Sequence, residues 1–230
     1  MIFDPLYFIL LAPGLILAMI ASALTKGTFS KYSKVRNSTG QTGAQAAATM
    51  LHSQGIYDVD IEPTKGFLSD HFDPRTNTLR LSPGVYQSNS LAAVGVACHE
   101  AGHALQKASG YGPLHLRSVL VPVTQFGSSF SYIFFIVGML FHMPVLMKFG
   151  VLLFAAAVVF SIVTLPVEWD ASARAKKLMV SSGVVTPMEL DGASAVLNAA
   201  FLTYVASAVT ALLTLLYYVL RSGLLGGGDD

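Results

Sequence analysis

Charge is scarce in this sequence. Asp, Glu, Lys and Arg make up 12% of its 230 residues, about half the share found in an ordinary soluble domain. The apolar fraction is 53% and the mean hydropathy +0.59, so much of the chain belongs in an apolar solvent: this is the composition of a membrane protein. A formal net charge of +1 provides no basic field, and no Lys/Arg cluster alternates with aromatics, which excludes nucleic acid as a partner. With Cys98 as the only cysteine there is no internal disulfide, and the polar segments need no oxidising compartment. Glutamate is limited to Glu62, Glu100, Glu168 and Glu189.

Against these shortages stand four apolar stretches, each near the length of about 20 residues that a helix needs to cross the hydrocarbon core. The first is "FDPLYFILLAPGLILAMIASAL" at 3–24. Asp4 and the absence of Lys or Arg before it argue for an uncleaved anchor rather than a secretory signal. The block 119–165 holds two spans, broken near Pro144 and Lys148, and the fourth is 203–220. Lys26, Lys31, Lys34, Arg36, Lys107, Arg117, Arg174, Lys176 and Lys177 flank the spans on one side, against Lys148 and Arg221 on the other. The positive-inside rule then puts the polar segments in the cytoplasm. The expected organisation is a transmembrane anchor at 1–24, a polar segment at 25–118, a transmembrane hairpin at 119–165, polar helices at 166–202, a last span at 203–220 and a short tail at 221–230.

The polar segments read as a small α+β unit within a mainly α membrane protein. Residues 39–54 pattern as a helix stopping at Gly55, "IYDVDIE" and "TLRLS" as strands with a turn at Asp73-Pro74 between them, and "SLAAVGVACHEAGHALQ" as a helix capped by Ser88 or Ser90. The strand at 77–81 is either an ordinary paired strand or an exposed edge beside that helix, able to take an extended peptide by strand addition. Pairing along both its edges would exclude the second reading. Downstream, a helix runs out of the third span to Gly183, and Thr186, Pro187 and Glu189 open another as N-cap, N1 and N3.

Chemistry concentrates in "HEAGH". On a helix, His99 and His103 share one face, so two imidazoles can aim at one metal ion with Glu100 beside them. From the chain's 6 His and its few Glu, chance would produce this pattern roughly 0.003 times, so it is not treated as accidental. Zinc suits two imidazoles and a carboxylate with a fourth position left to water. Gln106 and Ser109 stand where a metzincin needs Gly and His, which removes that class. Of the two later glutamates, Glu189 already has a capping role. Glu168, in "LPVEWDASARA" where a span meets polar sequence, is the leading third ligand, with His115 and Asp170 as the other candidates. The hairpin 119–165 would return the chain to the side from which it left, delivering Glu168 to the histidines.

The string "DHFDPRTNTLRLSPGVYQSNSLAAVGVACHEAGHALQ", together with "LPVEWDASARA" and "LDGASAVLNAAFLTYVA", resembles the YugP-type neutral zinc metallopeptidases of bacterial membranes over most of 25–220. More distantly it is similar to the HtpX-type membrane peptidases. The resemblance implies a zincin-like (gluzincin) catalytic unit in the bacterial inner membrane, one zinc ion per chain, His99, His103 and Glu168 as ligands, and Glu100 as catalyst. In the HtpX-type motif an acidic residue follows the ligand Glu by four; here Ser172 holds that place, with Asp170 nearby.

The expected activity is hydrolysis of peptide bonds by zinc-activated water, with Glu100 as general base and then acid. Peptides or membrane proteins would be the substrates, and the lipid bilayer the setting. His71, Arg75, Asn198 and Tyr204 are candidates for a second oxyanion donor, and Asp170 and Ser172 for groups orienting the ligands. Two other functions compete. A structural zinc clip on a non-catalytic scaffold calls for a fourth protein ligand, and a transporter calls for ionisable residues in mid-span, which the span interiors lack. The sequence does not specify oligomeric state.

Overall fold

The computed structural model describes residues 4–66 and 68–224. Residues 1–3 of the expected anchor and 225–230 of the expected tail lie outside the described residues. In chain order the elements are α1 (Pro5–Tyr32), α2 (Gly43–His52), β1 (Asp60–Pro63), β2 (His71–Asp73), β3 (Thr78–Leu81), α3 (Pro83–Tyr86), α4 (Leu91–Ala108), α5 (Gly112–Leu140), α6 (Pro144–Ser181) and α7 (Pro187–Arg221). The protein is mainly helical with one small sheet, and α1, α5, α6 and α7 are long and apolar enough to cross a membrane. The chain divides into two compact units.

The first unit contains residues 4–20, 116–166 and 203–224, the most apolar parts of those four helices. Its core is Leu11, Phe135, Met147, Val151, Tyr217 and Tyr218, with the Phe135 and Tyr218 rings stacked at 3.8 Å. A Cβ on Gly150 would lie 2.9 Å from the Ser131 carbonyl oxygen, so glycine is what lets α6 pack so closely on α5. Large apolar side chains such as Ile9, Phe126 and Leu152 are exposed, a surface that suits lipid rather than water. Asp4 accepts hydrogen bonds from Tyr217 Oη at 2.9 Å and Arg221 Nε at 2.6 Å, joining the start of α1 to the end of α7.

The second unit, Ala21–His115 with Val167–Leu202, carries the polar segments. Its core is dominated by small side chains of α2 and α4, including Ala46, Ala47, Ala93, Ala97 and Ala101, closed by Met50, Leu79, Leu81 and Met179. Helix α2 starts at Gly43, four residues later than the apolar pattern suggests, because Thr42 and Gln45 form a capping box worth about 1 kcal/mol. Ser90, one of the two expected caps, accepts the Ala93 N–H at the start of α4. Thr186 and Glu189 cap each other at α7, and Glu189 also accepts the Ser38 N–H at 2.6 Å, so the capping residue ties the α1–α2 connection to α7.

The sheet order is β1-β3-β2. Strand β3 pairs in parallel with β1, Thr78 opposite Asp60, and antiparallel with β2, Arg80 opposite His71. Of the two readings of 77–81, the ordinary paired strand holds and the exposed peptide-binding edge is excluded. β3 is the central strand, and both its edges are taken because Thr78, Leu79 and Leu81 are buried and need flanking strands to satisfy their backbone. Lys107 fastens α4 to the β2–β3 turn through the Pro74 carbonyl at 2.6 Å and Asn77 Oδ1 at 3.0 Å.

Candidate metal centre

Helix α4 presents His99 and His103 one turn apart, with ring centroids 4.9 Å from each other. Facing them is α6. A Cβ on Gly102 would come within 2.5 Å of the Ala171 carbonyl oxygen, so only glycine at this position allows the two helices to approach so closely. That contact seats Glu168, one turn earlier on α6, against both histidines. Glu168 Oε2 lies 3.0 Å from His99 Nε2 and 3.7 Å from His103 Nε2. The ligand atoms of His99, His103 and Glu168 all fall within 4.8 Å of one another. Glu168 is 1% exposed and His103 7%. Burial by itself would lower the His103 pKa, but hydrogen bonding to Glu168 and the charge of Glu100 outweigh it and hold that pKa above its ordinary value.

The outer nitrogens of both rings are occupied. His99 Nδ1 lies 3.0 Å from Ser172 Oγ, and His103 Nδ1 lies 2.9 Å from Gln106 Oε1. Gln106 in turn donates to the Val167 carbonyl at 2.7 Å and to Asp170 Oδ2 at 2.9 Å, and Asp170 is held by Arg174 Nε at 2.6 Å. The position that carries an acid in the HtpX-type motif thus holds a hydroxyl on one imidazole, while the nearby acid reaches the other imidazole through an amide. Gln106 is the residue that sequence reasoning missed. A glutamine one turn beyond His103 in an otherwise apolar helix was a signal, because a buried amide must find partners.

The remaining candidates sit as follows. Glu100 is half-buried on α4, and among the described residues nothing hydrogen-bonds its carboxylate. Asp170 pairs with Arg174, and His115 is exposed at the start of α5; neither joins the three-residue group. His71, on β2, is exposed and donates from Nδ1 to the Ser69 carbonyl at 2.8 Å. Arg75 lies beside Asp73, Asn198 accepts from Lys176 Nζ at 2.6 Å, and Tyr204 belongs to the stretch of α7 in the span unit.

Comparison with known proteins adds a chemical context to this geometry. The profile of a family described as "Putative neutral zinc metallopeptidase" matches residues 7–223, nearly the whole chain. The chain belongs to this family. It is also 45% identical over 225 residues to the "Putative membrane protease YugP" of Bacillus subtilis (strain 168), an alignment covering 98% of this chain and 99% of that protein. No solved structure matches. The neutral zinc metallopeptidase family and the cluster of two imidazoles and a carboxylate, in a protein with four apolar helices, are consistent with one another: the residue types at the cluster are those zinc takes.

Proposed function

We propose that this protein is a membrane-embedded zinc peptidase of gluzincin type, with His99, His103 and Glu168 holding one zinc ion and Glu100 carrying the proton. The convergence of the three ligand atoms within 4.8 Å, with Glu100 next to His99 on α4, is the observation that carries this reading. The donor set fits zinc. Both Nδ1 atoms are engaged outward, leaving the two Nε2 atoms and Glu168 Oε2 turned towards each other. Among the described residues no fourth His, Cys, Asp or Glu joins the group, which favours a catalytic site with an open position over a closed structural one.

When bound, zinc supplies Lewis acidity, acidifying water and polarising a carbonyl. The Glu100 carboxylate takes a proton from the attacking water, whose oxygen bonds to the carbonyl carbon. Glu100 then passes that proton to the amide nitrogen as the C–N bond breaks. The half-buried, uncommitted state of Glu100 suits a group that must both receive and release a proton. The Ser172 hydroxyl and the Gln106 amide meet the outer nitrogens of the two ligand rings. The substrates are peptides or membrane proteins, and the Lys/Arg distribution favours a site facing the cytoplasm of a bacterial cell, at the inner membrane.

Peptide cleavage by detergent-purified protein tests the reading. Glu100→Gln should keep its zinc and lose activity by about 10²–10⁴-fold, and chelation should abolish wild-type cleavage. Equal cleavage by wild type and Glu100→Gln would overturn the role of Glu100.

A further inference from the structure

Gln106 has no exposed surface, and its partners determine which way its amide points. Oxygen and nitrogen of a glutamine amide have nearly the same shape, so the direction follows from the neighbours. Two groups face Nε2, the Val167 carbonyl at 2.7 Å and the Asp170 carboxylate at 2.9 Å, and both only accept. They use the two N–H donors of the amide. The reversed amide would set its oxygen against two acceptors in a buried site. Asp170 cannot turn away easily, because Arg174 Nε holds the same Oδ2 at 2.6 Å, and Arg174 Nη1 is itself tied to Ser109 Oγ at 3.1 Å.

Oε1 therefore faces His103 Nδ1 at 2.9 Å, and an amide oxygen only accepts. A ring proton must sit on Nδ1, so Nε2 is the nitrogen that can give up its proton and offer a lone pair to a metal held by the three-residue group. The other ligand ring is under no such constraint. His99 Nδ1 meets the Ser172 hydroxyl, which can donate or accept.

We infer that Gln106 is a positioning residue that fixes the tautomer and ring orientation of His103, with Asp170 and Arg174 fixing Gln106 in turn. The glutamine passes on the orienting effect of a carboxylate without placing a second negative charge against the ring. This inference rests on the zinc reading above.

The test uses full-length protein in detergent and measures zinc affinity by competition with a chromophoric chelator, alongside ¹⁵N spectra of histidine-labelled, zinc-loaded protein. In wild type the His103 ring should carry its proton on Nδ1, hydrogen-bonded and shielded from exchange. Gln106→Leu, close in volume but without an acceptor, should weaken zinc binding about 10- to 100-fold and move that N–H signal. Gln106→Glu keeps an acceptor oxygen for Nδ1 and, protonated, one donor where the amide has two; its Nδ1–H signal should be retained and its affinity should lie between those of wild type and Gln106→Leu. The inference is overturned if Gln106→Leu binds zinc as tightly as wild type, if Gln106→Glu falls as far as Gln106→Leu, or if wild-type His103 coordinates through Nδ1. Should the leucine variant not fold, the wild-type spectrum and the Gln106→Glu Nδ1–H signal decide. Wild type that takes up no zinc contradicts the zinc reading itself, a result distinct from all of these.

Discussion

Glu168 is enclosed by two imidazoles and has almost no contact with solvent. If it is the third ligand, Glu168→Ala removes one of three anchoring atoms, and zinc affinity should fall by at least the roughly 10- to 100-fold seen for lost outer-shell partners. Zinc binding by Glu168→Ala at wild-type affinity would instead hand the role to His115 or Asp170, although Asp170 is already committed to Arg174 and Gln106. At this scale the sequence was informative where chemistry demands particular residue types at a set spacing. His99 and His103 share a face as helical periodicity requires, and Glu168, singled out by the scarcity of glutamate, lies against them. Ser172 and Asp170 are named beside Glu168, but Gln106 is not, because its partners lie far away in sequence: 64 residues separate it from Asp170 and 61 from Val167. Periodicity carries no information on such pairs.

Between elements, the contact of α4 with α6 decides the geometry, and Gly102 sets how close it can be. Gly102→Ala would drive a methyl group into the Ala171 backbone, and such overpacking costs about 1–3 kcal/mol. Thermal unfolding should drop accordingly, and zinc affinity should drop with it because Glu168 moves away with α6. Unchanged stability and unchanged zinc binding in Gly102→Ala would refute the close contact. The long elements were readable from apolar runs and caps: α7 begins where Thr186, Pro187 and Glu189 place it, and Glu189 forms the expected box. Of the short ones, β3 falls within the expected "TLRLS" strand, but the others were shorter than their pattern or not expected. Alternation in "IYDVDIE" starts at Ile56, yet only Asp60–Pro63 pairs, because β3 offers just four residues to pair with. Strand β2 is three residues long and ends at Asp73, just before Pro74, and α3 is a single turn opening on Pro83. None of these is long enough to leave a period, and which strand lies in the centre depends on pairing that a pattern of residues does not encode.

For the whole molecule, α6 is one continuous helix that carries a stretch long and apolar enough to cross a membrane and then Glu168 of the three-residue group. Trp169, the only tryptophan, follows Glu168 directly, is 59% exposed and packs edge-on against Phe201 at 5.2 Å. A tryptophan at the end of a span belongs at headgroup level. Its fluorescence should be quenched more by lipids brominated near the headgroup than by lipids brominated near the chain end, and the reverse order would contradict the span boundary at 165. Sidedness can be read by labelling single cysteines, since native Cys98 is fully buried. Ser38→Cys should react only with reagent admitted to the cytoplasm, and His142→Cys only from outside; the opposite pattern would reverse the proposed orientation.

Elemental analysis of the purified full-length protein, beside Glu168→Ala prepared identically, is the measurement on which the reading depends. One zinc per chain in wild type and loss of that zinc in the variant is the expected result. A wild-type protein that binds no zinc when offered it, or a variant that holds it equally well, would contradict a zinc centre built from His99, His103 and Glu168.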